Sequence, residues 1–582
     1  MQDIGTVTIK FENGNEFSKS RNVMAQVDTD LCVNCGMCRN ACPTDAIWEY
    51  QRDICRLCPD CAEGPEQFPE VSKQFATAHA CSIACPLGTI PEGYVNLVAQ
   101  DRLFEAYDVL RALNPLPSVC SMICHHPCED ECKRGLLIDK PIAIRALKRY
   151  VTESIEAPPL KFNRNVDVKI AVAGAGPAGL TAAFDLASKG YRVKIFEAGP
   201  APGGMLLGGI PDFRVDKEIL LEEIQGLLDA GIEIEYNCIV GKNPTVKQLL
   251  DDNFAAVLIA VGARQGTLLP LPGAEAEKVY DAVSFMRRVN SDEPVKLGQK
   301  AVVIGGGSVA MDTARTLRRM GVEEVTCVFM ETLCCESDDD IVAPAPEWEI
   351  EEALAEGIEM VDNSAPLRIV ADWFTVKGVE FKKVSKIEKN ENGGLCPVCV
   401  DDSEFVVEGD TVVFAVGQKS KTRYIAEGGE LDVDDFGRIA FCPDTLVTSN
   451  EKVFVAGDVV AARGSVVDAM ASGRKAALSI DNMIMGRNLD DGVDRRAPKL
   501  GAPVEKIFPE RLERLDAQIV PTDRFRDSFD LVEGVFDDKS AVLEARRCMK
   551  CGYSGVESDN CIGCGVCVGI CPVMAISLVK VL

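Results

Sequence analysis

Of the 582 residues, 26 are cysteine, and two stretches repeat one another. Asp30 to Ile47 reads DLCVNCGMCRNACPTDAI, and Asp559 to Ile576 reads DNCIGCGVCVGICPVMAI. Both space their thiols as C-x2-C-x2-C-x3-C-P, with Cys32, Cys35, Cys38 and Cys42 in the first and Cys561, Cys564, Cys567 and Cys571 in the second. Three thiolates on one tight loop hold three corners of a four-iron cube, while the fourth, ahead of proline, diverges and usually ligates another cube. A zinc ion would need four thiolates meeting at one point, which a close triple followed by Cys-Pro fits poorly. Each run therefore predicts a [4Fe-4S] centre. The two runs either close on each other as halves of one two-cluster module or complete their centres locally. Local completion would join Cys42 to Cys55, Cys58 and Cys61, and Cys571 to Cys548 and Cys551. The local pairing is favoured, because consecutive elements usually neighbour each other.

A second chemistry lies in two glycine-rich turns. VKIAVAGAGPAG (168–179) is a strand followed by Gly174, Gly176 and Gly179, with Pro177 and Ala178 between them. Gly174 permits the tight turn, Gly176 lets the backbone approach a pyrophosphate, and Gly179 allows close helix–strand packing beneath the positive end of a helix. The next strand, RVKIFE, ends at Glu197, followed by Ala198; a carboxylate there accepts from ribose hydroxyls, against the alternative of a solvated strand end. AVVIGGGSVAMD (301–312) repeats the arrangement with Gly305 and Gly307; Ser308 and Val309 then lead to Ala310 in the third glycine's place. VFVAGDVV (453–460) sets Gly457 and Asp458 after a buried strand. LIAVGA (258–263) and VVFAVGQ (412–418) put Gly262 and Gly417 at strand-to-turn crossings that join such domains.

The second strand of the later unit, EEVTCVFME, ends at Glu331. An acidic side chain at that point accepts from the 2′-OH of NAD, whereas arginine accommodates the 2′-phosphate of NADP. NAD(H) is thus favoured over NADP(H), unless Glu331 faces solvent and Arg315 or Arg318 reaches a phosphate from the helix. No nucleophile–base pair is evident, so no catalytic side chain is assigned. His79, His125 and His126 lie among the cysteine groups, and structural roles are expected of them. Cys396 and Cys399, a lone C-x-x-C in a Gly-rich loop, and the adjacent Cys334 and Cys335 read as ordinary loop cysteines, against the alternative of a small zinc site.

The elements that must position these residues fall into α/β order. Residues 161–490 alternate short Val/Ile/Ala runs with helix-like segments, the pattern of parallel sheets flanked by helices. The expected architecture is two interleaved Rossmann-like dinucleotide-binding domains, preceded by a helical iron–sulfur domain and flanked by ferredoxin-like modules. The expected divisions are 1–74 for an N-terminal hairpin, turning at Asn13-Gly14, with its ferredoxin-like module, and 75–160 for the helical domain. Residues 161–295 and 432–490 would bind FAD, and 296–431 would bind NAD(P). Residues 491–582 would hold an exposed linker and a C-terminal ferredoxin-like module. A formal charge of −28 repels a nucleic-acid backbone or anionic membrane. MQDIGTVTIKFENG lacks a secretory signal's basic start and apolar run, and no 18-residue apolar stretch exists for a membrane helix. A cytoplasmic setting follows, where thiols are kept reduced and disulfides are rare.

Beyond these motifs, residues 75–485 resemble the flavoprotein small subunit of glutamate synthase and its relatives. These include the N-terminal part of dihydropyrimidine dehydrogenase and the large subunit of bifurcating ferredoxin:NADP transhydrogenase. The resemblance is carried by CSIACPLGTIPEGY (81–94), the cysteine group 120–132, PIAIRALKRY (141–150), GGMLLGGIPDFRVDKEI (203–219) and GDVVAARGSVVDAMASGRKAA (457–477). It implies FAD on Gly174–Gly179, Glu197, Gly203–Gly204 with the adjoining Met205, and Asp458, and NAD(P)H on Gly305–Ala310. It also implies two [4Fe-4S] clusters in the helical domain, giving at least four in all. Relatives carry C-x2-C-x4-C-x3-C-P there, but here an insertion separates Cys55, Cys58 and Cys61 from Cys81 and Cys85. The implied ligands are two of the first three with Cys81 and Cys132, then Cys85, Cys124 and Cys128. The position matching Lys148 supplies a Gln or Glu ligand in relatives; a protonated lysine cannot ligate iron, so Cys120 or a spare thiolate is expected there.

Flavin accepts a hydride and releases electrons singly, so it belongs between a nicotinamide and a cluster. Three readings follow. The first is an electron-transfer subunit of a larger redox complex, of the kind found in a bifurcating transhydrogenase or an NAD(P)-linked dehydrogenase, that exchanges electrons with a partner subunit or ferredoxin. The second is a glutamate synthase small subunit serving an amidotransferase, and the third a non-catalytic iron–sulfur scaffold. Modules at both ends favour the first, and intact glycines at both turns argue against the third.

Overall fold

The structure is a computed structural model. It describes residues 6–10, 16–20, 23–28, 32, 37–40, 47–51, 81–334, 341–390, 394–434, 437–460, 464–492, 499–500, 511–519, 528–556, 571 and 575–580. The chain divides into two units: Met1–Pro159 with Asp491–Gln518 and Val535–Leu582, and Leu160–Asp490 with Ile519–Gly534.

In the second unit a parallel sheet runs in the order Val453–Val455, Phe254–Ile259, Lys169–Ala173, Arg192–Phe196, Glu233–Glu235. From Ile170 to Ala173 the central strand is buried throughout, which is why its sequence is continuously apolar instead of alternating. Strand order reverses beside this strand, and open α/β sheets form their ligand crevice at the carboxyl end of such a switch. A second parallel sheet repeats the plan: Val279–Asp281, Thr411–Phe414, Lys300–Ile304, Glu324–Val328, Glu359–Val361. Its central strand delivers Gly305 as the first delivers Gly174.

Three expectations about this unit are corrected. Strand Val279–Asp281 pairs with Thr411–Phe414, so the second sheet begins before residue 296. Ile425 and Ala426, on the helix Arg423–Gly429, pack into the first sheet's core, so the return occurs before residue 432. A meander of antiparallel strands, Ser364–Asp372, Thr375–Lys389 and Leu395–Glu408, interrupts the α/β alternation. Its Val376, Val379 and Phe381 cover Val302, Ile304, Val412 and Phe414 of the second sheet. Cys396 and Cys399 are thus strand residues opposite Glu388 and Val384, not loop cysteines.

In the first unit, short helices include Pro91–Val98, Leu103–Leu113, Pro117–Ile123 and Ile144–Ser154. Pro91 and Pro117 begin their helices, where a missing N–H costs nothing. Tyr94, Leu97, Leu110, Leu147 and Val151 form the core, and Phe536, Ala541 and Ala545 join it from the other end of the sequence. The exposed linker expected within 491–582 is therefore corrected at Asp538–Ala545. Helix Asp538–Ala545 sits in this core because its small residues Ala541 and Ala545 let it approach closely; both are fully buried.

The chain's two ends also meet. Strand Val23–Val27 pairs antiparallel with Ile576–Lys580, and Ile47–Gln51 with Gly552–Val556. Strands of the expected N- and C-terminal modules thus pair with each other. The expected hairpin strands, Thr6–Lys10 and Glu16–Ser20, pair with each other. Among the described residues no helix is long and apolar enough to cross a membrane.

Candidate functional site: a dinucleotide cleft and buried thiols

A cleft of about 750 Å³ opens at the carboxyl end of the first parallel sheet. Of the expected residues, Gly174, Gly176, Pro177, Ala178, Glu197, Ala198, Gly204, Met205, Gly262, Gly457 and Asp458 line it. Gly174 has φ of +106°, and a Cβ there would lie 2.5 Å from the Ala260 carbonyl oxygen, so the turn requires glycine. Gly179 lies behind the cleft wall, where a Cβ would meet the Gly174 carbonyl at 2.1 Å; its role is helix–strand packing. Gly203 and Gly417 are likewise not among the lining residues.

Glu197 is not a solvated strand end. It is buried, and its two carboxylate oxygens accept from the N–H groups of Ala175 at 2.8 Å and Gly199 at 2.7 Å. The same carboxylate thus fixes the turn and faces the cleft. Burial pushes the Asp458 carboxyl up. The sequence reading missed the cations: Arg264, Arg287, Lys419 and Lys421 also line the cleft, where a diphosphate would meet positive charge. Three of them follow the Gly262 and Gly417 crossings within four residues, a signal that was available.

In the second sheet, Gly305 has φ of +138° and Gly307 caps helix Ser308–Arg319, the geometry that presents N–H groups to an anion. Ala310 is fully buried against the sheet, as the third motif position requires. Glu331 is buried, three residues beyond the strand Glu324–Val328. Both arginines that could reach a 2′-phosphate are engaged elsewhere. Arg315 is held by Glu352 at 2.5 Å and Glu356 at 2.8 Å, and Arg318 donates to the carbonyls of Val322 and Glu323.

The cysteines of the first unit form two groups. Cys132, buried, and Cys81, Cys548 and Cys551, half-buried, line one small cavity with Glu92, Lys133 and Met549. Burial pushes the Cys548 thiol up to about 12 and raises Cys81 and Cys551 as well, with the Glu92 charge adding to each. Such thiols favour deprotonation only beside a strong positive charge, and soft thiolate donors suit an iron–sulfur core. The second group is Cys85, Cys120, Cys124 and Cys128, all of which act on the buried ammonium of Lys148. Burial pushes Lys148 down, but the charges of Cys124, Cys120, Cys128 and Cys85 outweigh it and the net shift is upward. Helix Pro117–Ile123 carries Cys120, and Cys124 is its C-cap, so the two lie one turn apart. His126 donates its N–H to the Cys124 sulfur at 3.4 Å, a structural contact.

At the joined termini, Cys38 is buried with Ala25, Ile47 and Ile576, and Cys571 packs on the same cluster. Cys571 therefore lies with the N-terminal run and apart from the cavity of Cys548 and Cys551, which overturns their local pairing. Cys32 is buried, its N–H donating to the Asp28 carbonyl at 3.0 Å. Cys35, Cys42, Cys55, Cys58, Cys61, Cys561, Cys564, Cys567, His79 and Cys335 lie outside the described residues.

A dinucleotide cleft, a second glycine-turn sheet and buried cysteine groups define an oxidoreductase built for FAD, NAD(P)H and [4Fe-4S] centres. The chain belongs to the pyridine nucleotide-disulphide oxidoreductase family, whose model matches residues 168–473. Residues 74–158 match dihydropyrimidine dehydrogenase domain II, 4Fe-4S cluster, and residues 25–48 and 555–577 match the 4Fe-4S binding domain. The NADP(+)-dependent formate dehydrogenase subunit beta of Moorella thermoacetica is 33% identical over 83% of this chain and 72% of its own. The NADPH-Fe(3+) oxidoreductase subunit beta of Geobacter sulfurreducens is 29% identical over 92% of this chain and 85% of its own. The glutamate synthase [NADPH] small chain of Azospirillum brasilense is 28% identical over 72% and 92%, respectively. The chain is thus an NAD(P)H-dependent flavin and iron–sulfur oxidoreductase of the electron-transfer-subunit kind.

Proposed function

We propose that this chain passes electrons between NAD(P)H, FAD and a series of [4Fe-4S] clusters, to or from a separate redox partner subunit or ferredoxin within a hetero-oligomeric complex. The observation that carries the reading is the coexistence, in one chain, of two intact glycine-turn sheets and two buried cysteine groups. When bound, flavin accepts a hydride's two electrons and releases them one at a time. The protein's part is positioning. Gly174–Gly176 and the cations Arg264, Lys419 and Lys421 fit a diphosphate, Glu197 a ribose, and Gly305–Gly307 a second nucleotide. The relatives' names, subunit beta and small chain, support a partner protein. A reducing cytoplasm suits this cysteine content.

We further propose NAD(H) as the nucleotide. Glu331 is buried just beyond the second strand, the end that faces an adenosine ribose in such units, and a carboxylate there repels a 2′-phosphate but accepts from a 2′-OH. Arg315 and Arg318 are committed to other partners, so neither offsets that repulsion. One set of anaerobic assays tests both statements. NADH is expected to bleach flavin and cluster absorbance of the isolated chain and to show a lower KM than NADPH with an artificial acceptor. A lower KM for NADPH sinks the nucleotide assignment, and full physiological turnover without a protein acceptor sinks the partner.

A further inference from the structure

We propose that Cys81, Cys132, Cys548 and Cys551 together hold one [4Fe-4S] cluster, with half of its ligands supplied by a C-x-x-C pair from the far end of the sequence. The assignment rests on the iron–sulfur reading above but on no particular partner or nucleotide. The four thiols line one cavity. The 4Fe-4S family matches stop at residue 158 and resume at 555, so neither covers Cys548 or Cys551.

The fold is built to deliver that pair. Asn96, on helix Pro91–Val98, donates its side-chain amide to the Cys548 sulfur at 3.6 Å across 452 residues of sequence. Arg547, directly before Cys548, is 3% exposed and clamped by Glu544 at 2.6 Å, Asp139 at 2.9 Å and the Lys140 carbonyl at 2.8 Å. Arg134, two residues after Cys132, donates to the Arg547 carbonyl at 2.7 Å. One buried network thereby sets the spacing between the two halves of the site. Glu544 itself accepts from the N–H groups of Ala143 and Leu515, both at 2.9 Å. Beyond Cys551, strand Gly552–Val556 is pinned by its pairing with Ile47–Gln51.

The donor chemistry fits a cube better than an ion. No group of three or more His, Cys, Asp or Glu among the described residues is arranged to hold a single metal ion. Thiols set around a cavity, instead of meeting at a point, match irons spaced at the corners of a core. Four S–Fe bonds form as four thiols release four protons, leaving a net charge of −2 on the oxidised centre. Lys133, 2% exposed on the cavity wall, places a cation beside that charge, with Glu92 the one acid opposing it there. Cys571, the alternative partner for Cys548 and Cys551, packs instead with Cys38.

The test uses the full chain, purified anaerobically, with Cys132→Ala and Cys548→Ala variants. Each is expected to lose about four iron atoms per chain and the same single component of the dithionite-reduced EPR spectrum. Flavin content should be retained. In Cys132→Ala, Cys548 and Cys551 should become reactive to iodoacetamide while Cys571 stays protected, as read by mass spectrometry. Loss of different EPR components in the two variants overturns the assignment, as does labelling of Cys571 with Cys548. If neither variant is soluble, stepwise iron removal from the unaltered protein serves. The four named thiols should then become reactive at one common rate, and distinct rates refute the set. Absence of iron and sulfide from the unaltered protein would instead sink the iron–sulfur reading as a whole.

Discussion

Lys148 shows what a single residue does among thiols. It lies at the position where the resemblance implies a Gln or Glu ligand, yet it is a buried ammonium held charged by Cys124, Cys120, Cys128 and Cys85. A protonated amine cannot ligate iron, so Cys120 or another thiolate is expected to take that corner. Its charge stabilises whatever negative charge the centre carries, and a reduced cluster carries one more than an oxidised one. Lys148→Met is therefore expected to lower the midpoint potential of the centre at these cysteines by on the order of 50–100 mV, with iron content retained. A redox titration followed by EPR measures this; an unchanged or higher potential refutes it. The hydroxyl of Tyr94, fully buried and without a hydrogen-bond partner among the described residues, lies within electrostatic reach of Cys128, Cys85 and Cys81 and is available to donate to a cluster sulfur.

At the scale of elements, the cleft depends on pieces too short to be stable alone. Helix Met205–Gly208 is a single turn, and it is held because Lys217 donates to the carbonyls of Leu206 at 2.7 Å and Ile210 at 2.5 Å. Burial pushes the Lys217 ammonium down to about 8 from 10.5, with Asp212 and Asp312 opposing it only in part. Below pH 8 the folded protein bears the cost of that buried charge. Between pH 8 and 10.5 the folded state gives up the proton while the unfolded chain keeps it, so stability rises with pH across this window. The rise is on the order of 3 kcal/mol. Lys217→Met should lower stability at all pH values through the lost hydrogen bonds but flatten this rise. Urea midpoints of both proteins at pH 7.5 and 10.5 report it, and an equal rise in the two would refute it. A neighbouring anchor is Arg214, which joins Asp312 at 2.9 Å and Glu349 at 2.8 Å in a buried network tying the first dinucleotide region to the helix after Gly307.

For the whole molecule, the main consequence is closure of the chain's ends. Val27 pairs with Ile576, Ile47 with Val556, and Cys571 packs on the cluster that holds Cys38. In a two-cluster module the Cys-Pro thiol of each half completes the cube of the other, which predicts Cys571 with Cys32, Cys35 and Cys38, and Cys42 with Cys561, Cys564 and Cys567. The two terminal clusters should then stand or fall together. Truncation after Val556 is expected to remove about eight iron atoms per chain, not four, while the cavity of Cys548 and Cys551 keeps its own. Loss of only about four would show that the N-terminal run completes its centre without the C-terminal one.

What the sequence determined by itself is local in origin. The glycine turns at 174–179 and 305–310 and both C-x2-C-x2-C-x3-C-P runs are legible because backbone approach to a phosphate and three corners of a cube are set within about a dozen residues. The sheets around them were equally legible, since a buried parallel strand must be continuously apolar. The antiparallel meander at 364–408 was not, because its alternating residues lie within a region otherwise read as βα units. Only the tertiary structure decided which thiols share a cavity, that Arg315 and Arg318 are engaged elsewhere, and that the chain's ends pair. The shared cavity and the paired ends depend on contacts between residues hundreds of positions apart, whereas Arg315 is held by Glu352 and Glu356 of a nearby helix and Arg318 by carbonyls within five residues. Nothing in the spacing of Cys548 and Cys551 names Cys81 and Cys132; burial of Ala541 and Ala545 and the Arg134–Asp139–Arg547–Glu544 network bring them together. Motif spacing encodes chemistry within a loop, whereas the choice of partner between loops is made by the packing and ion pairing of the elements that carry them.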